Sequence, residues 1–208
     1  MPNQLKYLAL GDSYTIGESV NADEQWVEYL KDLLHKHQYK FGTLDIIAQT
    51  GWTTSELQAA IVEQSPQNDY DLVSLLIGVN NQYRGQSIKI FKKEFSELLF
   101  TAVQFAKGKA NKVFVLSIPD WGVTPFASKL DLQKIASEID AFNLVAKEEC
   151  NQQNIAFIDI TPLSRTAITD PTLIAKDQLH FSGSMYQQWA ELALPEVLKL
   201  LKTNPTWP

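Results

Sequence analysis

The chain has a single cysteine, Cys150, in 208 residues, so no internal disulfide can form and a disulfide scaffold is excluded. It has no basic tract. The formal charge of −6 and the pI near 5.1 argue against a nucleic-acid partner, because phosphate-binding surfaces are built from clustered Lys and Arg. It also has no long apolar run near its start. Met1 to Leu10 carries one Lys and an apolar stretch of about six residues before Gly11, too short for a signal-peptide core or a bilayer span. No stable membrane insertion is expected, and a cytoplasmic location is, unless an export signal has been removed. Among the nine glycines there is no G-x-x-x-x-G-K-[ST] and no G-x-G-x-x-G, so both common phosphate-cradling fingerprints are missing. There is no H-E-x-x-H, no cysteine pair and no carboxylate cluster at metal-ligand spacing, and neither a metal nor an organic cofactor is expected.

What is present is a globular composition, 45% hydrophobic and 20% charged. A chain of this length buries about 70% of its unfolded surface and needs no staple to fold. Residues 1–203 are expected to form one domain, with Asn204 to Pro208 as a surface tail. Five short apolar runs predict strands at Lys6 to Leu10, Leu44 to Ala48, Leu72 to Ile77, Val113 to Ile118 and Ile155 to Ile160. Most are near-continuous, as strands covered on both faces must be. Between and after them, helical spacing appears over Asp23 to His37, Thr54 to Gln64, Ser87 to Lys107, Leu130 to Gln152 and Ser182 to Lys202. Pro195 interrupts the last and predicts a kink. Strict alternation of this kind gives a parallel sheet with helices on both faces, a three-layer α/β/α sandwich, and five strands suggest the flavodoxin-like order 2-1-3-4-5. Function in such sheets sits in the loops beyond the carboxyl ends of the strands.

Those loops carry hydroxyl, imidazole and amide groups. After the first strand comes Gly11-Asp12-Ser13-Tyr14-Thr15-Ile16-Gly17, which places a Ser hydroxyl at a nucleophile's address without matching the G-x-S-x-G elbow. Taken alone, Gly11 to Ser13 reads equally well as a turn with a capping Asp or Ser. A Ser hydroxyl needs a base to take its proton. His35 and His37 lie two apart on a helix and share no face, whereas His180 follows the fifth strand in Asp177-Gln178-Leu179-His180-Phe181-Ser182. Asp177 is placed to hold the Nδ1 hydrogen of His180, although Asp177 or Ser182 could instead simply cap the last helix. Oxyanion donors are offered by the loop holding Gly51 and by Gly78-Val79-Asn80-Asn81.

Together, in this order, the four segments resemble the SGNH hydrolases, also called the GDSL esterase and lipase family, over nearly the whole chain. The resemblance makes Ser13 the nucleophile and its own N–H an oxyanion donor, with Gly51 supplying a second N–H and Asn80 a side-chain amide. It makes His180 the base and Asp177 the orienting carboxylate. It implies a serine-dependent, cofactor-free ester hydrolase acting on a small-molecule ester. One departure is that Asn81 stands where the family's third block ends in an acidic residue; an alternative register would make Asn81 the donor. Asp12 and the strand-end aromatics Tyr14, Trp52, Tyr83, Trp121 and Phe181 are the candidates to touch substrate, and each could equally cover a core edge. Arg84 could meet an anionic substrate group or pair with a surface carboxylate. The same chemistry on a lysophospholipid, a thioester or an acetylated sugar is an alternative; the absence of a long apolar lid favours short acyl chains or water-soluble esters. A flavodoxin-like nucleotide or FMN binder, or a silent binding module, would leave Asp177 and His180 without work.

Overall fold

The computed structural model describes residues 4–202; the 204–208 tail lies outside them. Five strands, β1 (Leu5–Gly11), β2 (Phe41–Ala48), β3 (Leu72–Leu76), β4 (Val113–Leu116) and β5 (Ala156–Ile158), form one parallel sheet in the order β2-β1-β3-β4-β5. This is the order the alternation predicts. The central strands read as apolar runs because both their faces are covered: β3 and β4 are buried at every position. The edge strand β2 is less uniform, with Gly42 and Asp45 exposed.

Among the described residues eight α-helices connect and flank the sheet: α1 (Ser13–Ile16), α2 (Trp26–Lys36), α3 (Thr54–Gln64), α4 (Val79–Tyr83), α5 (Ile88–Phe105), α6 (Leu132–Gln152), α7 (Thr161–Ser164) and α8 (Gly183–Lys202). The long ones divide into two layers, α2 packed on α8 and α5 packed between α3 and α6. Side chains set their starts. Ser87 caps α5 by accepting the Ile90 N–H, Asp131 caps α6 by accepting that of Lys134, and Thr53 with Glu56 closes a capping box on α3. The first long helix starts at Trp26 and not at Asp23, because Asn21 and Glu24 cap a separate 3-10 turn over Ala22–Glu24. α8 is not interrupted at Pro195: it runs through as one helix, with Pro195 on its exposed side and Ala193 and Val197 buried. A proline there forfeits one backbone hydrogen bond, which packing on both sides outweighs. Among the described residues no helix is long and apolar enough to cross a membrane.

The register positions the site. Gly11 pairs with Ala48 on one side and Leu76 on the other, so three strands end at one level and release the loops carrying Ser13, Gly51 and Asn80 side by side. Gly11 has to be glycine: a Cβ there would stand 2.4 Å from the Leu76 carbonyl oxygen and 2.1 Å from Thr15 Oγ1.

Candidate active site

Ser13 opens α1 directly after β1. The preceding Asp12 is the cap, its Oδ1 accepting the Tyr14 N–H at 3.1 Å, and this fixes the turn that presents Ser13 at the end of the sheet. Asp12 is fully buried and its Oδ2 has no protein partner. Burial pushes its carboxyl up to about 8, against the opposing pull of the Tyr14 and Asp12 backbone N–H groups. Asp12 is therefore a backing group behind the hydroxyl and does not reach the cleft.

The second loop turns at Gly51, whose φ of +86° is left-handed and suits a residue without Cβ. Its carbonyl accepts from Arg84 Nη2 at 2.6 Å, and Arg84 Nη1 reaches both oxygens of Glu56 at 3.1 Å. Glu56 in turn accepts the Thr53 N–H at 2.7 Å; that bond, above all, holds its carboxyl below the usual range, with burial opposing and Thr53 Oγ1 and Arg84 adding to the pull. Of the two roles open to Arg84, the structure thus gives it the carboxylate, together with the Gly51 carbonyl.

Asn80, in α4, donates from Nδ2 to the Trp52 carbonyl at 2.9 Å, tying the third strand-end loop to the second. Asn81 is fully buried and outside the cleft. It accepts the Thr54 N–H at 3.1 Å and donates to Thr54 Oγ1 at 2.6 Å and to Gln86. At this position the amide does what a carboxylate could do only in part, since it both accepts and donates.

The fourth segment is a tight loop closed by an isolated antiparallel bridge between Ile174 and Phe181 and by the Ala175 N–H donating to the His180 carbonyl at 2.8 Å. Within it the Asp177 carboxylate accepts four hydrogen bonds: the Leu179 and His180 N–H groups at 3.0 and 2.9 Å on Oδ1, and His180 Nδ1 and Ser19 Oγ at 2.6 and 2.7 Å on Oδ2. Burial alone would raise its pKa; these donors outweigh it and hold the carboxyl well below the ordinary range. A carboxylate can only accept, so Nδ1 of His180 carries a hydrogen, and in the neutral ring the lone pair is that of Nε2.

Ser13, Asn80 and His180 line one cleft of about 140 Å³ at the carboxyl edge of the sheet. Three of the expected aromatics, Tyr14, Tyr83 and Trp121, line it too, and so do Val79 and Leu179, at variable positions inside their motifs, and Phe126, which belongs to none. Two expectations need correcting besides Asp12. Phe181 is fully buried, 5.8 Å from the Tyr14 ring and 5.4 Å from that of Trp189, so it belongs to the core. Trp52 contributes its carbonyl to Asn80, and neither its ring nor Gly51 is among the residues that line the cleft; Gly51 stands in the neighbouring loop, joined to the cleft through that Asn80 bond. Ser19 was not foreseen: it has a φ of +66° and no sequence signature, yet it is one of the four donors to Asp177. Among the described residues no group of three His, Cys, Asp or Glu side chains is arranged to hold a metal ion.

Comparison with solved structures finds the same architecture repeatedly. The crystal structure of TesA superposes with a TM-score of 0.73 at 20% identity, covering 94% of this chain and 99% of that one. The lipase Lip_vut3 from a goat rumen metagenome gives a TM-score of 0.74 at 20% identity, covering 93% and 97%. The acetylxylan esterase Axe2 from Geobacillus stearothermophilus gives 0.69 at 19%, covering 95% and 96%. At these identities the likeness concerns the fold. A comparison with proteins of curated function finds no significant match. The sheet order and the strand-end cleft define a three-layer α/β/α protein with its candidate site at the carboxyl edge of the sheet. More narrowly, residues 9–188 match the GDSL-like lipase/acylhydrolase family, and the chain belongs to it. That membership leaves the nucleotide-binding alternative without support.

Proposed function

We propose that the chain is a serine-dependent carboxylic ester hydrolase in which Ser13 is the nucleophile, His180 the general base and Asp177 its orienting carboxylate. The observation that carries this reading is the 2.6 Å bond from His180 Nδ1 to a carboxylate held by three further donors, on an imidazole that lines the same cleft as Ser13 and Asn80. Nε2 takes the Ser13 proton as Oγ bonds to the ester carbonyl carbon, and the carbonyl electron pair moves to oxygen. The resulting oxyanion is held by the N–H groups of Ser13 and Gly51 and by the Asn80 amide. The intermediate collapses, His180 returns the proton to the departing alcohol, and an acyl-Ser13 ester remains. Water then gives a proton to Nε2 and its oxygen to the acyl carbon; as the bond from that carbon to Oγ breaks, Nε2 passes the proton to Oγ, releasing the acid and restoring the Ser13 hydroxyl. Throughout, Asp177 stays ionised and steadies the transient imidazolium, a task suited to a carboxyl held low by its donors.

The test is hydrolysis of p-nitrophenyl acetate by the wild type and by Ser13→Ala at equal folded concentration. Turnover is expected in the first and loss by roughly 10⁴-fold or more in the second. Equal rates in both would remove Ser13 from the chemistry and end the reading.

A further inference from the structure

We propose that Trp121 and Phe126 form a partition that restricts the cleft to short acyl groups, and that Gln82 is the positioning residue holding the partition in place; this rests on the ester-hydrolase reading above. The cleft holds about 140 Å³, well below the roughly 300–1,000 Å³ of sites that engulf larger ligands. On the far side of its wall lies a wider apolar groove of about 510 Å³. The same two loops line both. Trp121, Phe126 and Leu179 face the cleft, while their chain neighbours Gly122, Pro125 and Gln178 face the groove. The Phe126 N–H donates to the Gln178 carbonyl at 3.0 Å and closes the seam between the loops.

The wall is braced. Trp121 Nε1 donates to Gln82 Oε1 at 2.8 Å, and Gln82 Nε2 donates to Glu138 Oε2 at 2.8 Å, a relay that runs from the cleft into α6. Trp121 and Gln82 are both buried, so swinging the indole aside would leave a buried donor and a buried acceptor unpaired. Below the ring, Asp120 fixes the backbone: its Oδ1 accepts the Gly122 N–H at 2.9 Å, its own N–H donates to Ser164 Oγ at 2.9 Å, and its Oδ2 accepts from Arg165 Nε at 2.8 Å. Tyr83 and Phe126 meet the indole edge-on at centroid distances of 5.3 and 6.1 Å. An acyl chain longer than the cleft would have to displace this assembly to reach the groove. The substrates that fit are esters of short acids, of the acetyl to butyryl kind.

The experiment compares kcat/KM on p-nitrophenyl acetate, butyrate and octanoate for the wild type, Trp121→Ala, Phe126→Ala and Gln82→Leu, with Ser13→Ala alongside. The wild type is expected to lose at least about tenfold between butyrate and octanoate. Phe126→Ala and Trp121→Ala are expected to raise the octanoate-to-acetate ratio by about tenfold or more, and Gln82→Leu by less, through a lower KM for octanoate. Phe126 is 47% exposed, so its alanine variant keeps the fold even should Trp121→Ala not. A wild type as fast on octanoate as on butyrate would overturn the partition. So would a ratio unchanged in Phe126→Ala and in a folded Trp121→Ala. Ester hydrolysis surviving in Ser13→Ala would instead overturn the serine-esterase reading, whatever the chain-length profile.

Discussion

Behind β4 and behind Ser13 the protein buries polar side chains to similar depth, yet it pairs the first set completely and the second only in part. On the β4 side, Asn143 accepts the Ile118 N–H at 2.7 Å and donates to the Ile118 carbonyl and to Thr161 Oγ1, each at 2.9 Å. Ser117 Oγ meets Thr161 Oγ1 at 2.7 Å and accepts the Ile160 N–H at 2.8 Å. Behind Ser13, by contrast, Asp12 Oδ2, Thr15 Oγ1, Ser182 Oγ, Tyr186 Oη and Trp189 Nε1 have no protein partner. The aromatic rings of Tyr14, Phe181, Tyr186 and Trp189 crowd this ground, with centroids 5.0 to 6.1 Å apart. A satisfied network costs little and fixes one arrangement of loops; an unsatisfied one costs stability and persists where placement of the nucleophile requires it.

The largest effect should separate chemistry from stability. His180→Ala is expected to lower ester turnover by roughly 10⁴–10⁶-fold. The imidazole bonds outward to Asp177, and no member of the Asn143 network depends on it, so the urea midpoint should move little. A large fall in the midpoint, with activity per folded molecule retained, would assign His180 to structure. The β4 network should behave in the opposite way. Asn143→Leu keeps the volume but strands the Ile118 N–H, while Thr161 Oγ1 loses one donor and keeps Ser117 Oγ and the Ile118 carbonyl, at a cost of about 2 kcal/mol in the unfolding free energy. Activity per folded molecule at low temperature is expected to stay near wild type, and a selective loss of kcat would show that this network also serves the site.

Asp12 and Asp177 carry the contrast into pH. Asp177 is depressed by its donors, so the stability it contributes is present above the ordinary carboxylate range and is lost as pH falls through that range toward its folded value. Asp12 is raised to about 8 by burial, so the folded state holds a proton that the unfolded state releases near pH 4. Stability must then fall as pH rises between those values, by at most about 1.4 kcal/mol per unit. Asp12→Asn can still cap α1 and cannot ionise, so its unfolding midpoint should be flatter between pH 5 and 8 and higher than wild type at pH 8. Parallel pH profiles for the two proteins would show that Asp12 is already ionised in the fold.

How much of this was legible in the sequence follows the same division. Strands and long helices show through because apolar spacing is set by burial over many residues. The helices α1, α4 and α7 do not show through: each is four or five residues long and is made by a strand-end turn, as Asp12 makes α1. The hydroxyl, imidazole and amide of the cleft were visible as short motifs. Its walls were not. Phe126 arrives on a 3-10 turn, Pro125–Ala127, and Leu179 through a loop whose shape depends on four bonds to Asp177. Phe181 misleads because it adjoins His180 but pairs with Ile174 and points into the core, and Asp12 misleads because it adjoins Ser13 but faces backwards.

The smallest expected effect tests whether positioning extends beyond the buried region. Arg84 and Glu56 have side chains 49% and 43% exposed, so their ion pair should contribute under about 1 kcal/mol to stability. The guanidinium nevertheless holds two things at once, the Glu56 carboxylate and the Gly51 carbonyl. With the Trp52 N–H bonded to the Gln49 carbonyl at 3.3 Å, the guanidinium fixes the peptide that follows Gly51, and through it the loop that carries the N–H proposed for the oxyanion. Arg84→Ala should therefore lower kcat several-fold with KM and the thermal midpoint nearly unchanged. Arg84→Lys should recover little, because one ammonium cannot span the fork that reaches both partners. An unaltered kcat in both variants would mean that the left-handed turn and the Asn80 bond to the Trp52 carbonyl hold the loop unaided.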